Sequence, residues 1–216
     1  MTNMSWDVGL PPESLSRIQA GVLATRYRGR RLLKSPFDLV LYMQLIDSLA
    51  PRTVIEIGAK EGGSALWFAD QLSLRGIAPQ IVAVDLEPPS DFEDPRIRFV
   101  QGDANDLANC LAASDLRVLP RPWLVVEDSA HLYAPCLAVL EFFDEWLERG
   151  DYIVIEDGVI RDLPDPVYDR FENGPNRAVA AFLKENAGHY EISRALCDFY
   201  GPNVTYNPNG WLRKMA

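Results

Sequence analysis

Two apolar runs of the 216-residue chain end in paired carboxylates: Val125-Val126-Glu127-Asp128 and Ile153-Val154-Ile155-Glu156-Asp157. Short β-branched runs of this kind read as buried strands. Neighbouring strands lie about 4.8 Å apart, so adjacency would gather Asp128, Glu156 and Asp157 at one sheet edge. Acids that close are tolerable in three ways. One stays protonated, the side chains splay into solvent, or a hard divalent cation sits between them. Three positions after Asp128 stands His131, one of two histidines in the chain with His189. An imidazole titrates near neutrality and can take a proton from an acidified hydroxyl; the plainer reading makes His131 the cap of a helix starting near Tyr133.

A second segment invites chemistry: Val54-Ile55-Glu56-Ile57-Gly58-Ala59-Lys60-Glu61-Gly62-Gly63-Ser64, a buried strand running into a glycine-rich turn that opens a helix. Such a turn lets backbone N–H groups and the positive helix end come close to a ligand. A dinucleotide fingerprint, G-x-G-x-x-G, would need glycine at positions 58, 60 and 63, and position 60 is lysine. A nicotinamide oxidoreductase is therefore disfavoured. Further along, Asp85 closes a second strand and Gly102-Asp103-Ala104 a third, although Gly-Asp is also an ordinary turn pair.

The elements that must hold these residues follow a βαβ rhythm from about residue 53. Strands are expected at Thr53–Ile57, Ile81–Asp85, Ile97–Gln101, Trp123–Asp128 and Tyr152–Glu156. Crossover helices are expected at Ser64–Arg75, Ala104–Ala113 and Ala134–Glu148. A last helix should run from Gly174-Pro175 to about Asn186, with extended pieces near Tyr190–Arg194 and Val204–Arg213. Ahead of the sheet, Ser35-Pro36-Phe37-Asp38 combines a serine cap, proline at the first helical position and an acid three residues after the cap, so a helix should reach about Ala50. Residues 1–50 thus read as an N-terminal helical extension and 51–216 as the main domain.

Composition narrows the partners. With 31 acids against 21 Lys plus Arg, the formal charge is −10. That balance opposes phosphate-backbone binding, so nucleic acid is not expected. No stretch approaches the roughly 18 apolar residues of a membrane span, and no membrane partner is expected. Three cysteines without metal or disulfide spacing suit a reducing cytoplasm. The charge is segregated: residues 141 to 172 hold eleven acids and three arginines, while Arg26 to Lys34 hold five cations in nine positions. That basic segment could close over a ligand, pair with a neighbouring subunit, or be a solvated face. Phe199, Tyr200, Asn203, Asn207 and Trp211 could line a pocket or pack the last strands.

The turn pattern Glu-x-Gly-x-x-x-Gly-Gly-Ser resembles the first motif of class I S-adenosylmethionine-dependent methyltransferases. That resemblance implies a Rossmann-like α/β fold with a mostly parallel seven-stranded sheet and helices on both faces. It implies a cofactor held by Glu56, Gly58, Ala59, Lys60, Ser64, Asp85, Leu86, Gly102, Asp103 and Glu127. Asp85 would meet the ribose hydroxyls, Gly102-Asp103 the adenine and Ser64 the methionine carboxylate. Asp128 with Glu156 and Asp157 resembles the Mg²⁺ site of the catechol and caffeoyl-CoA O-methyltransferases, in which His131 would stand at the position of the general base.

Longer stretches, Tyr27-Arg28-Gly29-Arg30, Leu33-Lys34-Ser35-Pro36, Gly62 to Asp70, Cys197-Asp198-Phe199-Tyr200-Gly201, Asn203-Val204-Thr205 and Asn207-Pro208-Asn209-Gly210, are similar to the cephalosporin hydroxylase or rhamnosyl O-methyltransferase family over nearly the whole chain. The family implies methyl transfer to a small-molecule hydroxyl in antibiotic or glycan-related metabolism, Mg²⁺ at the acids and a homo-oligomer. Two other readings stay open: a metal-independent methyltransferase, and a non-catalytic cofactor-binding subunit. An iron oxygenase is disfavoured, because His131 and His189 are far apart and form no H-x-D or H-x-E pair.

Overall fold

A computed structural model describes residues 4–216. The chain opens with α1 (Pro12–Ala24) and a hairpin of β1 (Arg26–Tyr27) and β2 (Arg30–Arg31), followed by α2 (Pro36–Leu49). Both hairpin turn residues, Arg28 and Gly29, have positive φ, as tight turns between antiparallel strands require. The alternating part comprises β3 (Thr53–Ile57), α3 (Gly63–Leu74), β4 (Gln80–Asp85), β5 (Ile97–Gln101), α4 (Ala113–Leu116), β6 (Trp123–Glu127), α5 (Tyr133–Asp144) and β7 (Tyr152–Ile155). It closes with α6 (Gly174–Glu185), β8 (Tyr190–Ile192), α7 (Arg194–Cys197) and β9 (Trp211–Lys214).

Seven strands form one sheet in the order β5-β4-β3-β6-β7-β9-β8. All pairings from β5 to β7 are parallel, and β9 runs antiparallel to both its neighbours. The fold is the expected Rossmann-like methyltransferase architecture. All five residues of β3 and of β6 are buried, as befits central strands covered on both faces. On one face α2 and α3 contribute Leu41, Tyr42, Leu45, Ile46, Leu66, Trp67 and Phe68 to the core; on the other α5 and α6 contribute Val139, Leu140, Phe143, Val179 and Phe182. A smaller cluster joins Leu15 and Val22 of α1 to Val159, Ile160 and Leu163 beyond β7. No helix among the described residues is long and apolar enough to cross a membrane.

The cap of α2 forms as its sequence promised: the Ser35 hydroxyl accepts from Asp38 N–H at 3.1 Å and donates to Asp38 Oδ2 at 2.7 Å. Two expectations fail. Ala104–Ala113 is not a helix; a 3-10 turn at Leu107–Asn109 and the four-residue α4 replace it. Asp103 Oδ1 there accepts from the backbone and side chain of Asn105 at 2.8 and 2.9 Å, giving the backbone a local alternative to helix. Val204–Arg213 is also not one strand. Only Trp211–Lys214 is extended, because Asn203 and Asn209 adopt positive φ and Thr205 Oγ1 accepts from Asn207 N–H at 3.0 Å. That loop is tied down. The Thr205 hydroxyl donates to Asp38 Oδ1 at 2.5 Å, Tyr206 N–H to Asp38 Oδ2 at 3.1 Å, and Val159 N–H to Tyr206 O at 2.8 Å.

Candidate active site

Chain order reverses between β3 and β6, the place where open parallel sheets leave a crevice at their carboxyl edge. Asp128 N–H donates to Ile57 O at 2.8 Å, so the glycine turn and the first acid sit side by side. Gly58 has φ of 96°, and a Cβ there would lie 2.1 Å from Asp128 O. Only glycine lets the two strand ends approach this closely.

A cavity of about 670 Å³ opens at this edge. Gly58, Ala59, Lys60, Ser64, Asp85, Leu86, Gly102 and Asp103 line one end of it. Asp85 organises the turn: Oδ2 accepts from Lys60 N–H at 2.7 Å and Oδ1 from Glu87 N–H at 2.9 Å. Eight of the ten residues expected on the cofactor therefore share one wall. Glu56 and Glu127 do not line it; both are fully buried behind it. Glu127 is engaged by Ser129 N–H at 3.1 Å and Cys136 Sγ at 3.1 Å, while Glu56 lies 3.4 Å from Lys34 Nζ. Burial raises the pKa of Glu56, and Lys34 opposes that rise.

At the other end stand Asp128, His131 and Asp157, each with a ligand atom within 4.8 Å of the others'. His131 Nε2 is 3.4 Å from Asp157 Oδ2, its ring meets Phe171 edge-on at 5.5 Å, and its Nδ1 is buried without a partner. It does not cap α5, whose cap position is Leu132 with no side-chain bond; His131 instead turns the chain with φ of 56°. Asp157 is also left-handed, at φ 58°, and its N–H donates to Asn207 Oδ1 at 3.0 Å. Its pKa is raised to about 6 by desolvation, against which His131 pulls.

Glu156 departs from the expected set of three acids. Its Oε1 accepts from Tyr42 Oη at 2.5 Å and its Oε2 from Lys34 Nζ at 2.7 Å, so both oxygens face inward. Asp128 belongs to both groups, because its Oδ2 accepts from the same Lys34 ammonium at 2.8 Å. The Lys34 side chain is 1% exposed. Burial works to strip its proton, but Asp128, Glu156 and Glu56 outweigh that and hold its pKa well above the usual lysine value.

Sequence reasoning placed Lys34 in a basic run of open purpose and in a family-like stretch without giving it a role, and missed Tyr42 altogether, which lies in no such stretch. It also missed the wall beyond His131. Gln19 of α1 and Tyr168 and Phe171 of the 3-10 turn Pro166–Phe171 line this end, with Val22, Ile160 and Leu163. Gln19 Nε2 donates to Tyr168 Oη at 3.0 Å, and Gln19 Oε1 is buried without a partner. The C-terminal aromatics and amides do not line the cavity: Trp211 packs on Tyr42, Asn203 and Asn207 are buried in the last loop, and Phe199 and Tyr200 are exposed.

The model of the family described as rhamnosyl O-methyltransferase/CmcI matches residues 20–215. A rhamnosyl O-methyltransferase of Mycobacterium leprae (strain TN) is 32% identical over 197 residues, spanning 87% of this chain and 82% of its own. A solved structure of CmcI with Mg and SAM covers 90% of this chain and 78% of its own at TM-score 0.68 and 27% identity. MycE of the mycinamycin pathway, in complex with Mg, SAH and mycinamycin VI, shares the fold at TM-score 0.51 and 20% identity, over 80% of this chain and 45% of its own.

Proposed function

The chain belongs to the rhamnosyl O-methyltransferase/CmcI family of S-adenosylmethionine-dependent O-methyltransferases, and we propose that it methylates a sugar hydroxyl of a small molecule with the help of Mg²⁺. One observation carries this reading: a single cavity joins the wall of Gly58, Asp85 and Asp103 to Asp128, His131 and Asp157. Glycosylated acceptors are favoured by the mycobacterial relatives' name, and the orphaned Gln19 Oε1 suits a hydroxyl donor.

The cofactor supplies an electrophilic methyl on a sulfonium. Asp85, Asp103 and the turn around Gly58 orient it, which fixes the line of approach for the acceptor oxygen. As that oxygen bonds to the methyl and the bond to sulfur breaks, His131 Nε2 takes the hydroxyl proton, and Asp157 at 3.4 Å stabilises the imidazolium. Asp128 and Asp157 offer oxygen ligands that suit a hard cation, which leaves the softer imidazole nitrogen for the proton. When bound there, Mg²⁺ would acidify and align the acceptor hydroxyl.

Transfer without a metal is the second reading, and the Lys34 ammonium between Asp128 and Glu156 favours it. Beyond the chemistry, the proposal extends to a cytoplasmic homo-oligomer in which residues 1–50 supply acceptor and subunit contacts. Labelled S-adenosylmethionine incubated with rhamnosylated acceptors tests the reaction. Labelled product is expected, with the rate lost on chelation and restored by Mg²⁺. Cofactor binding with no product from any glycosylated acceptor would overturn the substrate, and a rate untouched by chelation would overturn the metal.

A further inference from the structure

The basic run from Arg26 to Lys34 is spent within its own chain. Arg28 pairs with Asp70 at 3.0 Å, Arg30 with Asp91 at 3.2 Å and Arg31 with Glu61 at 3.3 Å. The β1–β2 hairpin rests directly on the start of α3, where a Cβ on Gly63 would lie 1.9 Å from Arg31 O. The last cation of the run differs from the others. Lys34 enters the sheet edge, where its Nζ bridges Asp128 Oδ2 at 2.8 Å and Glu156 Oε2 at 2.7 Å, with Glu56 Oε1 at 3.4 Å. The remaining Glu156 oxygen is held by Tyr42.

An ammonium that bridges two carboxylates neutralises charge that a divalent cation held by the same carboxylates would neutralise. We propose that Lys34 is a positioning residue that competes with the divalent cation for Asp128 and Glu156, so that cation affinity depends on how readily Lys34 gives way. With Lys34 engaged, Asp128, His131 and Asp157 line the cavity and Glu156 does not. With Lys34 displaced, Glu156 is released as a third acid. The arm that covers the cofactor turn thereby also carries the cation's rival. The inference rests on the cation reading in its binding arm, whereas the coupling between Lys34 and Glu156 can be measured without any metal.

Lys34→Met keeps the aliphatic stem and removes the charge. Calorimetric titration of the full chain with Mg²⁺ alone should then show about tenfold or greater tightening over the unmodified protein, because a nearby positive charge no longer repels the ion. Lys34→Arg should stay near the starting affinity. Loss of a merely structural contact would loosen the site, so Mg²⁺ affinity that is unchanged or weaker in Lys34→Met overturns the proposal. In chelator, Lys34→Met should melt earlier, and adding Glu156→Gln should recover stability by about tenfold or more in the folding equilibrium. A double variant no more stable than Lys34→Met alone also overturns it, and this comparison still decides if Lys34→Met folds only in part. Absence of Mg²⁺ binding in every variant would sink the cation reading and the competition with it, whereas binding that fails to tighten in Lys34→Met would overturn the competition alone; the stability cycle separately reports whether Lys34 and Glu156 are coupled.

Discussion

The two ends of the cavity are built from different parts of the chain. The end proposed for the cofactor comes from three consecutive strand-to-loop junctions, at Gly58, Asp85 and Gly102. The end proposed for the acceptor is assembled from α1, the loop after β6 and the segments after β7, with the C-terminal loop behind them. In the proposed function the first end serves a step common to all methyl transfer, and it is set by local geometry. The second must suit one acceptor, and nothing local fixes it. Substitutions at the two ends should therefore fail differently.

Gly58→Ala should give the largest effect. The left-handed backbone and the 2.1 Å overlap with Asp128 O together cost about 3 kcal/mol or more. Thermal melting should fall accordingly, and S-adenosylhomocysteine binding should be lost with it; a variant that binds normally would show that the turn can rearrange. His131→Ala tests the junction of the two ends. Its kcat should drop by about 10²-fold or more with S-adenosylhomocysteine affinity intact, as expected for a proton acceptor. A loss of cofactor affinity would move His131 to the other end. Gln19→Leu should act least, raising KM for the acceptor by about tenfold at most while sparing kcat and cofactor binding, since one hydrogen bond is removed. If KM for S-adenosylmethionine rises instead, the division between the ends does not hold.

The same division governed what could be read from the sequence. Gly58 to Lys60 with Ser64, Asp85 and Gly102-Asp103 belong to contiguous patterns at strand ends, and they line one cavity. The acids after β6 and β7 were legible because adjacent parallel strands must bring their ends together. Which way each carboxylate points was not legible: Glu156 turns toward Lys34 and Tyr42, residues more than a hundred positions earlier. Glu56 and Glu127 sit in strands whose successive side chains point to opposite faces, and in their buried places they meet Lys34, Ser129 and Cys136. The Gln19–Tyr168 contact joins residues 149 positions apart and follows no pattern at all.

The loop from Asn203 to Gly210 has a consequence for the order of assembly. It holds Asp157 through Asn207, Asp38 through Thr205 and Tyr206, and the end of β7 through a bond from Ile155 N–H to Gly210 O at 2.9 Å. During synthesis the glycine turn and its strands emerge early and can fold as a unit. The bond from Asp157 N–H to Asn207 waits until some fifty further residues are made. The elements that follow β7 and the start of α2 thus gain these bonds only when the C-terminal loop has been made.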